Sequence, residues 1–331
     1  MARVLIVGGA GYVGSSTCAW LRDRGHDVWV LDNLSTGRQQ LLLPDIAGFT
    51  RADVGNQVVV SSVLDEFQPE CVMHFAARSL VGESVQKPKE YYENNVVQTE
   101  QLLEVMMKKN VKNFVFSSTC AIFGDPGSVA MNEDCPQVPI NPYGQTKLQA
   151  EQVMQRFSSD FGLRCIALRY FNASGADPKL RVGEWHEPET HLIPRILASI
   201  QAGNVIEVYG DDYPTPDGTC IRDYIHVFDL ASAHESAMTR LMKMDPASGI
   251  FEAFNLGSGN GFSVQEIIQT CEQLTKKTAK KMIQGRRPGD PPRLVADSRL
   301  AQKELNFRVC HDLREIISTA WNWELKKGTL V

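Results

Sequence analysis

An α/β fold built on a doubly wound parallel sheet, with a second and smaller α/β lobe, is what the sequence predicts, and three observations carry it. Apolar strand-like runs alternate with amphipathic helical stretches as far as Phe171; the chain opens as strand, glycine-rich turn and helix; and beyond Asn172 the texture changes to a loop-rich stretch holding Gly175, Pro178 and Gly183. Alternation of this kind calls for parallel strands joined by helical crossovers. The expected division is 1–172 and 173–331, with a segment near 224–240 returning to the first sheet.

The elements follow in order. Residues 3–7 are a short apolar strand, and Gly8, Gly11 and Gly14 then open a helix that runs through Cys18, Trp20 and Leu21 to Gly25. The first glycine allows the tight turn, the second lets a pyrophosphate approach the backbone, and the third lets helix pack on strand. The helix N-terminus adds free amides and a partial positive charge. A second strand, 28–31, ends in Asp32, 18 residues after Gly14, where a carboxylate accepts from both ribose hydroxyls of NAD and repels the extra phosphate of NADP. This is a Rossmann-type beginning, and it predicts NAD. Strands at 71–75, 113–116 and 164–168 complete the alternation, with helices at 91–109 and 143–161 between them. The second part reads as a helix at 193–202, a segment over 206–222, a helix at 229–242 and two late helices at 264–274 and 312–326.

The most informative local feature lies at the start of the helix at 143. Asn141 is a good N-cap and Pro142 suits the first helical position, so Tyr143 and Lys147 stand four apart on one face. A free tyrosine titrates near ~10 and is a poor base, but a neighbouring cation lowers that value. A hydroxyl from Ser118 or Thr119, closing the strand at 113–116, would complete a proton relay to an alcohol. The expected chemistry is oxidation of an alcohol.

With 331 residues and 43 % hydrophobic content the chain can bury a large core and form two lobes. Its net charge of −5 without a basic block argues against a nucleic-acid surface and leaves room for a local positive patch for a diphosphate. The 8 cysteines are scattered with no Cys-x-x-Cys, so neither a zinc site nor a disulfide framework is expected. His186-Glu187 followed by His191 approaches a zinc-binding helix, but the second histidine is one residue too far and Pro188 intervenes; no metal is expected. His74, on an apolar strand, reads as a core histidine. No long apolar segment or leader stands out, which predicts a cytoplasmic protein without membrane association.

The glycine spacing, three then three, matches the extended short-chain dehydrogenase/reductase superfamily. Within it the whole chain resembles the UDP-glucose 4-epimerase family, on eight strings in order: Asp32 to Gly37, His74 to Ala77, Val81 to Ser84, Tyr91 to Asn95, Leu168 to Asn172, Glu189 to Pro194, Arg222 to His226 and Arg286 to Asp290. The resemblance implies an isomerase of carbohydrate metabolism that interconverts UDP-galactose and UDP-glucose through a 4-keto sugar and transient NADH. NAD would be tightly held and not consumed. Tyr143, Lys147 and Thr119 would be catalytic. The cofactor set would be Gly8, Gly11, Tyr12, Val13, Gly14, Asp32, Asn33, Ser35, Thr36, Gly37, Asp53, Val54, Phe75, Ala76, Ala77, Asn94, Ser117, Tyr143, Lys147 and Tyr170, with Asp53 and Val54 at the adenine. The UDP-sugar would meet Thr119, Tyr143, Asn172, His191, Leu192, Val208, Tyr209, Arg222, Arg287 and Asp290. Arginine suits a diphosphate because its planar fork binds bidentately.

The family also implies a homodimer paired through the helices at 91–109 and 143–161. This chain departs from its pattern at His191, Cys220 and Ser79, and carries Leu294 where members hold either a bulky tyrosine or a small residue beside the sugar. Epimerisation of UDP-N-acetylhexosamines therefore stays open beside the UDP-glucose reading. Three rivals share the fold: a sugar-nucleotide 4,6-dehydratase, a UDP-uronate epimerase or decarboxylase, and a non-catalytic NAD-sensing scaffold. The first needs acidic residues after the Ser-Thr pair, where Cys120 and Ala121 stand; the second needs a cation for a carboxylate; the third usually lacks the tyrosine or lysine that are intact here.

Overall fold

In the computed structural model, which describes every residue except 126, 128, 129, 246, 247, 288 and 331, the chain begins with β1 (Arg3–Val7), α1 (Tyr12–Asp23), β2 (Asp27–Asp32) and the short β3 (Gly48–Arg51). It then crosses back through α2 (Gln57–Phe67) to β4 (Cys71–His74). Two short helices, α3 (Val81–Gln86) and α4 (Pro88–Tyr92), lead through a π-helical turn at Glu93–Val97 into α5 (Gln98–Lys108), β5 (Asn113–Thr119), α6 (Pro142–Phe161) and β6 (Arg164–Tyr170). The second part holds β7 (Asn172–Ser174), α7 (Leu192–Ala202), β8 (Val205–Tyr209), β9 (Ile221–His226), α8 (Val227–Lys243), β10 (Ile250–Leu256), β11 (Gly261–Ser263), α9 (Val264–Thr275), β12 (Lys280–Gln284), β13 (Arg293–Leu294), α10 (Arg299–Leu305) and α11 (Leu313–Lys327).

Seven strands form one parallel sheet in the order β10-β6-β5-β4-β1-β2-β3. Sandwiched between helical layers, β4 and β6 are buried along their whole length, which is why they read as unbroken apolar runs. On one face α1 and α8 cover a core containing Val4, Ile6, Val30 and Ile166; on the other α2, α5 and α6 cover Leu5, Val7, Phe114 and Phe116. The direction of winding reverses between β1 and β4, so a crevice opens at their carboxyl ends.

Two expectations are corrected. The segment at 224–240 does not return as a strand: β9 is the hub of a small separate sheet, with β7, β11 and β13 around it, and α8 lies over the large sheet. The strand that rejoins is β10, parallel to β6. The reason is the crossover itself, because α8 buries Leu230, Ala237, Met238 and Leu241 and reverses the chain before a parallel partner can be laid down. The helix expected at 91–109 is interrupted by the π-helical turn, and its stripe of Leu102, Leu103 and Met106 is fully buried in its own subunit's core.

Local chemistry explains the helix ends that matter. Asn141 Oδ1 accepts from the Gly144 amide at 2.8 Å, Pro142 takes the first position, and Gly162 closes α6 in the left-handed region at φ +72°. Ser263 with Glu266 and Asp312 with Glu315 form reciprocal capping boxes at α9 and α11. No helix among the described residues is long and apolar enough to cross a membrane.

Candidate active site

The crevice is built first by glycines. Gly8 turns at φ +85°, and a Cβ there would lie 2.4 Å from the Ala76 amide; at Gly14 it would lie 2.2 Å from the Gly8 carbonyl. At Gly11 the only neighbour would be that carbonyl at 3.4 Å, so the second glycine faces open space. Gly11 also caps α1 without a side-chain acceptor, leaving the first-turn amides for an anion. Asp32 closes β2, its two oxygens accepting from the amides of Ala10 (2.9 Å) and Leu34 (2.8 Å), and burial raises its pKa. Those two bonds fix the carboxylate and leave lone pairs for a ribose. These features fit a dinucleotide.

The remaining cofactor candidates divide. Asn33 donates to Asp53 Oδ2 at 3.0 Å, and its own Oδ1 accepts from the Ser35 amide, so the loop through exposed Ser35 and Thr36 to Gly37 is tied to Asp53. A Cβ on Gly37 would press Asp32 Oδ1 at 2.9 Å. Tyr12, Val13 and Val54 turn their side chains into the cores, leaving only backbone for a ligand. Tyr12 donates its hydroxyl to the Gly175 carbonyl at 2.6 Å. After β4 the Phe75 and Ala76 amides both donate to the Val7 carbonyl, and Ala77 is half-buried beside them. Asn94, in the π-helical turn rather than at a helix cap, accepts from the Arg78 amide at 3.0 Å and donates to Gln98. His74 is buried, its Nε2 3.1 Å from a Thr99 hydroxyl already donated to the Asn95 carbonyl; burial holds it near pKa 3 and neutral.

The catalytic candidates meet where β5 ends beside α6. Lys147 is buried and donates to the Ser117 carbonyl at 2.9 Å, above the Phe116 ring. Burial pulls its pKa down to about 7, against the opposing field of Glu151. Tyr143 is half-buried; burial pushes its phenol up to about 12, the Thr119 hydroxyl pulls it down, and Cys120 raises it. Tyr170 bonds the Ser117 hydroxyl. Ser118, an alternative relay, is committed elsewhere: it donates to Glu151 Oε1 at 2.5 Å, and Arg169 grips the same carboxylate through Nε (3.0 Å) and a terminal nitrogen (2.5 Å). Thr119 is thus the hydroxyl left facing Tyr143.

Several of these groups were not singled out in the sequence. The Glu151–Arg169 pair is buried, and Glu151 stands one turn beyond Lys147 on α6. Asn95 donates to the Arg78 carbonyl (3.0 Å) and to the Thr146 hydroxyl (3.1 Å), which itself donates to the Tyr143 carbonyl (2.8 Å), tying the π-helical turn to the catalytic helix. Its signal was the Asn-Asn doublet itself, both members of which converge on Arg78. His234, its ring tilted against Phe75 at 4.7 Å, gave no signal beyond an apolar helix face.

On the other lobe Arg222 pairs with Asp290, not with its neighbour Asp223. Asp223 is taken by the amides of Ser258, Gly259 and Ala296 and the Ser258 hydroxyl. Arg287 lies 4.0 Å over the Tyr209 ring, while Val208 on the opposite face of β8 is buried in the lobe's core. Pro288, within the expected Arg286 to Asp290 string, lies outside the described residues. Asn172 opens β7 and Leu192 opens α7; the His191 ring turns toward Glu184 and Glu189. Leu294 packs, partly buried, in a cluster with Ile122, Phe123 and Phe171, beside Cys120.

Residues 4–257 match the model of the NAD dependent epimerase/dehydratase family. The chain is 46 % identical to UDP-glucose 4-epimerase of Halalkalibacterium halodurans over 97 % of its own length and 95 % of the relative's. Among solved structures, UDP-glucose 4-epimerase from Brucella ovis in complex with NAD is 46 % identical, with a TM-score of 0.93 over 98 % of this chain and 99 % of that one. The enzyme from Bifidobacterium longum in complex with NAD+ and UDP is 35 % identical, with a TM-score of 0.90 over 98 % and 99 %.

Proposed function

The chain belongs to the NAD-dependent epimerase/dehydratase family, and on that premise we propose that it interconverts UDP-galactose and UDP-glucose by transient oxidation of the sugar at C4. The observation that carries the reading is the junction of β5 and α6, where Tyr143 and Lys147 share a helix face and Thr119 contacts the phenol. Bound NAD supplies the acceptor and donor of hydride at C4. The glycine turn and Asp32 would hold it, the free first-turn amides of α1 suiting its pyrophosphate.

Tyr143 takes the proton of the sugar 4-hydroxyl, and Thr119 hydrogen-bonds that oxygen and relays the proton. A phenol held near 12 in the free protein needs positive charge to reach its working range; Lys147 on the same helix face would supply it when protonated, and bound NAD would add its own charge. The 4-keto sugar then presents its other face, the proton returns, and the 4-hydroxyl is inverted. Arg222 and Arg287 hold the distant nucleotide diphosphate, with Asp290 paired to Arg222 at the same end of the site, so binding energy is separated from the group that must turn. The two lobes divide these tasks at about 1–172 and 173–331. Two copies pair through the outer faces of α5 and α6, which lie side by side, and the eight free cysteines suit a reducing cytoplasm.

The test is proton NMR of UDP-galactose with the purified protein and no added NAD. Appearance of UDP-glucose to a steady ratio supports a 4-epimerase that carries its own cofactor. No change even after NAD is supplied would end the assignment on that sugar and reopen the dehydratase and uronate readings. Light scattering tests the pairing: a mass near twice 36.9 kDa is expected, and a single-chain mass removes it.

A further inference from the structure

Four side chains outside the catalytic junction converge on one point. Glu184, His186, Glu189 and His191 each offer a donor atom, all within 4.8 Å of one another. Three of those atoms, Glu184 Oε1, His186 Nδ1 and Glu189 Oε2, are buried and make no hydrogen bond in the protein. Glu184 as a whole is 5 % exposed. They are nonetheless close: His186 Nδ1 lies 3.3 Å from Glu184 Oε1 and 3.7 Å from Glu189 Oε2, and His191 Nδ1 lies 2.7 Å from Glu184 Oε1. The His191 ring reaches Glu189 Oε1 at 3.2 Å, whereas the three buried atoms share the same small volume without a hydrogen bond of good geometry.

The spacing identifies what belongs there. A tetrahedral cation bound at about 2.0–2.1 Å keeps its donor atoms about 3.3 Å apart; three of the pairs stand at 2.7, 3.3 and 3.7 Å, and the four donors as a set lie within 4.8 Å. Two neutral imidazoles and two carboxylates balance a double positive charge, and this mixed nitrogen and oxygen set suits zinc and its first-row neighbours better than magnesium or calcium. The spacing argument that excludes a zinc-binding helix does not apply, because residues 175–191 are not helical and their backbone folds the two histidines together.

We propose that Glu184, His186, Glu189 and His191 form a structural site for a first-row divalent cation, zinc foremost. The site is prepared in advance. Trp323 donates to the Glu184 carbonyl at 2.9 Å, Arg38 pairs with Glu187 and lies over Trp185, and Tyr12 of the glycine turn meets the His186 ring edge-on at 6.3 Å. A cation here fixes the strap between β7 and α7, and with it the His186 ring that meets Tyr12 of the first turn of α1. It plays no part in the chemistry at Tyr143 and does not depend on the epimerase reading.

The experiment is elemental analysis of the intact protein purified without chelator, followed by chelator treatment and titration with zinc chloride in competition with a chromophoric chelator. About one zinc per chain with submicromolar affinity is expected. Cobalt(II) added instead should give the visible absorption of a four-coordinate site. His186→Gln and Glu184→Gln should each weaken zinc by more than the roughly 10–100-fold that loss of an outer partner brings. The intact protein should lose thermal stability on chelation and regain it with zinc. No zinc in the purified protein and none taken up at millimolar concentration would overturn the site, leaving four residues that only pair with one another. Equal zinc affinity in folded His186→Gln and Glu184→Gln would overturn the assignment of these ligands.

Discussion

Replacing Lys147 by methionine should stabilise the cofactor-free protein while abolishing turnover, and the size of the effect follows from its burial. Lys147 is 2 % exposed, and burial brings its pKa from an ordinary 10.5 to about 7. Between those values the unfolded chain binds a proton that the folded chain does not, so stability rises with pH across that window. The penalty of keeping this lysine is about 4 kcal/mol at pH 7 and falls to about 2 kcal/mol at pH 9, at about 1.4 kcal/mol per pKa unit. Against it stands the bond to the Ser117 carbonyl at 2.9 Å, whose loss leaves a buried acceptor unpaired at a cost of about 1–3 kcal/mol at any pH. Urea denaturation of both proteins, stripped of cofactor, should show the variant more stable by about 1–3 kcal/mol at pH 7, with the gap shrinking by about 2 kcal/mol at pH 9. A gap that does not change with pH, or a variant less stable at pH 7 than at pH 9 relative to the parent, would refute the claim that the buried ammonium is held at a stability cost.

Other perturbations separate the parts of the site. Tyr143→Phe should cut turnover by about 10²–10⁴-fold while NAD remains bound, read by progress curves and by cofactor released on denaturation. Arg169→Met should cost about 3–5 kcal/mol in urea because it leaves the Glu151 carboxylate buried and unpaired, and the double replacement with Glu151→Leu should recover most of that; equal losses in single and double variants would show that the pair is not the cause. Asp32→Ala should weaken NAD by about 10–100-fold, the worth of hydrogen bonds to a charged group, and reduce the preference against NADP; isothermal titration with both cofactors reads it. Leu294→Tyr should lower kcat/KM for UDP-N-acetylgalactosamine and spare UDP-galactose, and unchanged selectivity would remove Leu294 from the sugar end.

What was legible in the sequence follows the range of the interaction. The large sheet and the glycine turn could be read because strand, turn and helix each depend on near neighbours: Gly8, Gly11 and Gly14 sit in one turn, and Asp32 closes the very next strand. The capping of α6 was readable for the same reason, since Asn141, Pro142 and Gly144 are adjacent. The strand β10 was not, because nothing local distinguishes residues 250–256 from an edge of the second lobe; only the packing of α8 decides where it lands. The division of labour among Ser117, Ser118 and Thr119 was invisible for a sharper reason. Successive residues of a strand face opposite sides, and which side holds Glu151 and Arg169 is set by residues 33 and 51 positions away.

That alternation links stability to function at the catalytic junction. Ser118 faces the buried Glu151–Arg169 pair, whereas the Thr119 hydroxyl is turned to Tyr143 and the Ser117 carbonyl is held by Lys147. The three residues therefore cannot exchange roles: a one-residue slip of β5 would bring Ser118 to the phenol and leave the carboxylate of Glu151 without its hydroxyl donor. The ion pair between α6 and β6 opposes such a slip, since Arg169 is the direct neighbour of Ser118 in the β5–β6 register and Glu151 is fixed on the same helix as Tyr143 and Lys147. A pair of charges that adds little net stability compared with apolar residues has a reason to be there if it sets register. Its removal as the double variant should then restore the resistance to urea but not the full turnover, because the β5–α6 alignment that faces Thr119 to Tyr143 would have lost the ion pair that ties α6 to β6 beside Ser118.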